Sequence, residues 1–300
     1  MWKESKALVG TAAIMFVNLL VALVGLAIDP RMITGAPAWL KPAKFALSTA
    51  IFAVSIAWLF RYLTDFAKAK RWIGPALAVI LCLEVGIIDM QAARGTTSHF
   101  NIGTPENAIL FSIMGVAIGI LWILSIWITM LLFRQTFKDR AWGWALRLGM
   151  SISVLGMAAG GLMTMPTAEQ RAAMARDERV TVVGGHTVGA PDGGAGVPGV
   201  DWSKEHGDLR IPHFMGMHAL QIIPLIVWWR RRSSLRFVFA IAGSYFLLYL
   251  ILAWQALRGE SIAAPTGLTL AVLGVWLAVT LGMVIPFEFG GRKMEAVHER

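Results

Sequence analysis

Residues 8–28 read LVGTAAIMFVNLLVALVGLAI, and no charge interrupts them. At about 1.5 Å of rise per residue, a helix of that length covers the roughly 30 Å hydrocarbon core of a bilayer. Seven further apolar runs follow, at 43–63, 73–92, 107–133, 142–165, 211–229, 234–256 and 266–286. Lipid offers the peptide group no hydrogen-bond partner, so such runs close their bonds internally as helices. The sequence therefore predicts an all-α integral membrane protein with eight transmembrane helices. Composition agrees: 57% of the 300 residues are hydrophobic and only 15% are charged, where a soluble domain carries about a quarter.

The net charge of +9 does not mark a nucleic-acid partner, because of where it sits. Basic residues crowd alternate loops: Lys3 and Lys6; Arg61, Lys68, Lys70 and Arg71; Arg134, Lys138 and Arg140; Arg230, Arg231, Arg232 and Arg236; Arg292, Lys293 and Arg300. Such one-sided loading is the positive-inside pattern. It predicts both termini in the cytoplasm (N-in, C-in), a bacterial cytoplasmic membrane, and the long loop outside. The bilayer itself is then the first partner. The first run is too long for a signal-peptide core and is read as a mature helix. Cys82 is the single cysteine, so disulfides and thiolate clusters are excluded, and it reads as a packing residue.

Two halves of the chain echo one another. MQAARG (90–95) ends the third run and WQALRG (254–259) the seventh, while KPAKF (41–45) opens the second and IPHF (211–214) the sixth. The same order in both halves predicts two parallel four-helix repeats, residues 1–133 and 134–300. Gly115 with Gly119, and Gly156 with Gly160, have the spacing that lets helix backbones approach closely. Residues 166–210 predict a partly ordered cap over the outer mouth. Within it, TAEQRAAMARD (167–177) carries the capping-box pair Thr167 and Gln170, and RVTVVGG (179–185) reads as a brief strand.

Ionisable groups inside a span are expensive and point to a protein interior or a cavity. Glu84 and Asp89 lie deep in the third run, and His213, His218 and Gln221 in the sixth. Counted at 1.5 Å per residue, Asp89 and His213 stand within about 5 Å of the outer boundary, and Glu84 and His218 roughly 10–12 Å in. The spacing predicts level carboxylate–histidine pairs, with Glu84, His218 and Asp89 as candidate catalytic groups. His213, His99, Gln221, Arg94 and Lys44 are candidates for holding a ligand or cofactor. Five residues turn a helix by about 500°, so His213 and His218 point apart, yet both remain candidate metal ligands. Asn18 and Arg147 read as structural, and Lys41 as a lysine reaching the headgroups.

The motifs WLKPAKFALS (39–48), QAARGTTSHFN (91–101), HTVGAPDGG (186–194) and HFMGMHALQ (213–221) together resemble a family of bacterial multi-pass membrane proteins of unassigned activity. That resemblance spans most of the chain and implies no catalytic residue. A looser architectural likeness is to the haem A synthases, which also have eight spans in two halves with the site outside. Their histidines on even-numbered spans are not matched, since Lys44 stands in span 2 and spans 4 and 8 hold none. Imidazole is a common ligand for haem and for divalent transition metals, so His218 with His99 or His213 is read as a candidate holder of a single haem or metal.

Three functions follow as expectations. One is a haem- or metal-dependent redox or enzymatic site opening outward. The second is a transporter or receptor for a small-molecule ligand, with no metal. The third is a structural or assembly factor. A retinal site would need a lysine in spans 6 to 8, and a zincin would need His-Glu-x-x-His; neither is present.

Overall fold

The computed structural model describes residues 1–230 and 233–298. Arg231, Arg232 and Arg300, and the side chains of Arg292, Lys293 and His298, lie outside the described residues. The long helices are α1 (Lys6–Ile28), α2 (Leu40–Leu59), α3 (Ala67–Ala93), α4 (Pro105–Arg134) and α5 (Arg140–Met163). After the short α6 (Ala168–Ala175) come α7 (Arg210–Trp229), α8 (Leu235–Leu257) and α9 (Gly267–His298). Among the described residues, eight helices are long and apolar enough to cross a membrane, as the apolar runs predict.

Local chemistry sets the ends. Ser5, Thr104, Asp139 and Ser234 each accept a backbone N–H of the first helical turn, which satisfies a donor the helix leaves free. The capping box on α6 forms as its sequence predicts, with Thr167 and Gln170 bonding reciprocally. Gly95 and Gly259 follow α3 and α8 with φ of +72° and +74°, a left-handed stop that suits glycine.

In the first half, α1 packs on α2 and α3, α2 on α3, and α3 on α4. In the second, α5 packs on α7 and α8, α7 on α8, and α8 on α9. The contact of α4 with α5 links the halves. Their shared core joins Ile56 and Phe60, Leu77 and Leu81, Ile128, Leu146, Met150 and Leu220. At about 25 cal/mol per Å2 of apolar surface removed from water, such a cluster would stabilise strongly in a soluble protein. Within lipid its worth lies in close packing instead.

The tightest approach is between α5 and α7. A Cβ on Gly156 would lie 2.5 Å from Met217 N and 2.6 Å from Gly216 Cα. Three polar pins cross the same region: His213 Nδ1–H donates to Gly156 O at 2.8 Å, Ser153 Oγ to Met217 O at 3.0 Å, and Tyr245 OH to Met215 O at 2.6 Å. The Gly115–Gly119 expectation fails. A Cβ on either would meet nothing within 4 Å, because that face of α4 points away from the other helices.

The end of the bundle that carries Arg61 and Arg134 is closed by Gln135, which is buried and bonds Asp65 and Thr64, and by Lys70 with Glu4 at 2.7 Å. Arg147 lies against Phe133, Phe137 and Trp144 and donates to the carbonyls of Leu132 and Gln135, a structural placement in keeping with its reading.

Residues 166–209 lie over the opposite end as hydrogen-bonded backbone. Ile102 N donates to Thr181 O and Val183 N to Phe100 O, both at 2.9 Å. The strand expected at 179–185 reduces to an isolated bridge, Asn101 with Val182. The turn before α2 pairs β1 (Met32–Ile33) with β2 (Ala36–Pro37), and the cap pairs β3 (Thr187–Val188) with β4 (Gly207–Asp208) instead, both antiparallel. Lys44 Nζ donates to Val200 O at 2.8 Å. Arg210 grips Asp208 at 2.6 Å and reaches both Asp201 Oδ2 and the Asp201 carbonyl.

Candidate functional site

Four separate elements bring ionisable groups together beneath the cap. Lys41 comes from the first turn of α2, Glu84 from α3, His99 from the turn after α3, and His186 with Asp192 from the long loop. Glu84 is only 4% exposed. Its Oε1 stands 3.4 Å from His99 Nε2, and its Oε2 has no hydrogen-bond partner. The other His99 nitrogen, Nδ1, lies 3.0 Å from Ser98 Oγ. A neutral ring that accepts the Ser98 hydroxyl at Nδ1 carries its proton on Nε2, facing Glu84. Phe45, Phe100 and Phe111 surround the ring at centroid distances of 5.8, 6.0 and 6.4 Å. Burial holds the His99 pKa well below the usual imidazole range, and the charge of Lys41 pushes it the same way. It is therefore neutral at pH 7.

His186 is anchored differently. Its Nδ1–H donates to Asp192 Oδ2 at 2.8 Å, which leaves the Nε2 lone pair unprotonated. Asp192 also accepts the backbone N–H of His186 at 3.0 Å and of Thr187 at 2.8 Å. Burial pushes the Asp192 carboxyl up, but the hydrogen bonds it accepts from His186 and Thr187 outweigh it and hold the group well below the usual range. Burial lowers His186 against the pull of Asp192. Lys41 lies close enough to interact electrostatically with Glu84 and Asp192. Its Nζ is 5.8 Å from the Phe45 ring centroid. No hydrogen bond or ion pair with another described residue engages it.

The arrangement holds a proton donor facing a buried carboxylate, an imidazole with a free lone pair, and an ammonium without a fixed partner. Such a set can bind an acidic group and move a proton to or from it.

The expected level pairs do not form. His218 Nδ1–H donates to its own helix at Phe214 O, 2.8 Å away, with the Phe214 ring 4.0 Å from its own. His213 is spent on Gly156. Gln221 Nε2 donates to Ser55 Oγ of α2 at 2.9 Å, and its Oε1 is left without a partner. Asp89 faces Asn18 of α1. The physical reason is azimuth. Equal depth on two helices brings side chains together only if the helices are neighbours, and α3 packs on α1, α2 and α4 while α7 packs on α5 and α8.

Arg94 makes a bidentate pair with Glu106, 2.8 Å on each arm, and also donates to Gln91. Lys44 is committed to the Val200 carbonyl. The Arg94 charge is thus met by Glu106, whereas Lys44 spends one of its three N–H donors on a neutral carbonyl.

Of the sequence candidates, Glu84 and His99 meet. Lys41, His186 and Asp192 escape the sequence reading of the site. Their one signal is HTVGAPDGG, where His186 precedes Asp192 by six residues, around Gly189 at φ +95°. Among the described residues, no group of three or more His, Cys, Asp or Glu is arranged to hold a metal ion.

The chain matches no protein family, no curated protein and no solved structure.

Proposed function

We propose that this is a plasma-membrane protein, N-in and C-in, that binds a small weak acid at its outer face and exchanges a proton with it. The observation carrying this reading is the buried Glu84 carboxyl, one oxygen 3.4 Å from His99 and the other unpartnered, in the electrostatic reach of Lys41. A buried polar atom without a partner is costly, and a bound solute removes that cost. Lys41 holds the anion. Glu84 and His99 accept or return the proton, and His186, fixed by Asp192, links them to the outside. The protein is then a transporter or receptor of bacterial type, with no metal required.

Two parallel repeats, 1–133 and 134–300, support a transport reading. In favour of them, Gln91 Nε2 donates to Thr97 O after α3, as Gln255 Nε2 does to Ser261 O after α8. Both turns then stop at a left-handed glycine.

A haem or transition metal on His218 is the second reading. Its Nδ1–H is held by the Phe214 carbonyl, the outer bond that orients a ligating imidazole and leaves Nε2 for the metal.

The deciding experiment measures thermal stability of the purified protein with acetate, lactate and benzoate between pH 6 and 8, alongside its visible spectrum and metal content. The proposal expects pH-dependent stabilisation by at least one acid, lost in Lys41→Met and Glu84→Gln. It fails if none of the three acids stabilises the protein. Stoichiometric haem or metal, lost in His218→Ala, would favour the second reading.

A further inference from the structure

A second polar feature lies away from the outer site, in a groove of about 530 Å3 between α1 and α3. Ala13, Ile14, Val17 and Val21 form one wall, and Val85 and Gly86 the other, with Asn18 and Asp89 between them. Val17 and Val21 are more than half exposed, so in a membrane the groove opens sideways into the acyl chains. Thr11 and Cys82 close its inner end, 3.9 Å apart. Asn18 and Asp89 sit seven residues further along both helices and adjoin one another. Asn18 and the Asp89 carboxyl are close enough to interact, yet neither Asn18 Nδ2 nor Asp89 Oδ1 completes a hydrogen bond of normal geometry, though both atoms are buried.

One orphan is a donor and the other an acceptor. A single hydroxyl satisfies both, accepting from Asn18 Nδ2 and donating to Asp89 Oδ1. The apolar walls suit the hydrocarbon that such a hydroxyl would bring. We infer that this groove binds the hydroxyl head of a lipid-dissolved alcohol or phenol, held by Asn18 and Asp89. The bilayer supplies such molecules laterally, so no opening to water is needed.

The test uses the full-length protein in phosphatidylcholine nanodiscs with hexadecanol carrying a photoreactive diazirine. The same diazirine on plain hexadecane is the control, and labelled peptides are mapped by mass spectrometry. The hydroxyl probe is expected to label groove residues of α1 and α3 about tenfold more than the control, the factor one ordinary hydrogen bond carries. Unlabelled dodecylphenol in excess is expected to compete.

Gly86 lines the groove, and a Cβ there meets nothing within 4 Å, so Gly86→Leu puts its side chain into the groove and abolishes labelling. Asp89→Leu abolishes it too, while Asp89→Asn, which keeps an acceptor oxygen, retains it. Equal labelling by the hydrocarbon control, or labelling indifferent to Gly86→Leu, overturns the proposal. The Asn18–Asp89 pair would then serve only to join α1 to α3.

Discussion

His186 Nδ1 donates to Asp192 Oδ2 across 2.8 Å, and the same carboxylate takes the backbone N–H groups of His186 and Thr187. One side chain thus folds the loop back on itself and fixes a ring that packs on Phe100 within electrostatic reach of His99. A charge-assisted hydrogen bond contributes about 1.5–3 kcal/mol. Asp192→Asn keeps the shape and loses the charge. It is expected to destabilise the cap by about 2 kcal/mol, read as faster amide exchange over residues 186–209 with the helices unchanged.

The cap is expected to loosen in acid. His99 and His186 are both held below the ordinary imidazole value of 6.5, first by burial. Between the folded and unfolded values the unfolded chain binds more protons, so stability rises with pH and is lost as pH falls below about 6.5. Asp192, held below its ordinary 3.8, adds a second loss in stronger acid as its carboxylate is protonated. Hydrogen exchange of the cap at pH 7, 6 and 5 checks this. Flat protection across that range counts against the assignment of neutral, buried rings.

Close packing of α5 on α7 makes a sharp contrast between glycines. Gly156→Ala drives a methyl into Gly216 and Met217 and is expected to cost about 1–3 kcal/mol by overpacking. Gly115→Ala on α4 meets open space and is expected to be neutral, or to stabilise by up to about 1 kcal/mol through helix propensity. Thermal denaturation of the two variants in detergent compares them directly.

Arg94 and Lys41 are both cations near the capped end, with opposite expected roles. Arg94 is partly exposed and already paired with Glu106, so Arg94→Ala is expected to cost under about 1 kcal/mol. Its effect on weak-acid binding is expected to be negligible. Lys41→Met is expected to remove acid binding with little change in stability. Titration calorimetry with lactate separates them, and equal losses in both variants would place the anion elsewhere.

Release of the cap is expected to follow Lys44. Its single bond to the Val200 carbonyl joins α2 to the Gly-rich stretch, so Lys44→Ala is expected to expose residues 196–203 to protease. Arg210→Lys gives up the fork that grips Asp208 and Asp201 together. It is expected to loosen β4 and the start of α7. Limited proteolysis followed by mass spectrometry reads both.

The histidine-bearing stretch HFMGMHALQ shows where sequence reading stops. Its polarity is plain, and Glu84 stands out as a buried carboxylate from composition alone. Depth could be counted along each helix, but rotation about the axis and the choice of neighbour could not. His213 therefore turns to Gly156, His218 to Phe214 and Gln221 to Ser55, none of them to α3. His186 and Asp192 lay unread because irregular loops carry no period. Their meeting depends on a left-handed turn at Gly189.

By itself the sequence determined eight apolar helices and the capping box on α6. The physical reason is that backbone satisfaction in lipid and capping act over a few residues. Only the tertiary structure decided that Glu84 meets His99, that Asp89 turns away toward Asn18, and that the long loop supplies His186 and Asp192. Those meetings depend on which helices touch and how each is rotated, and both are set by packing between residues far apart in the chain.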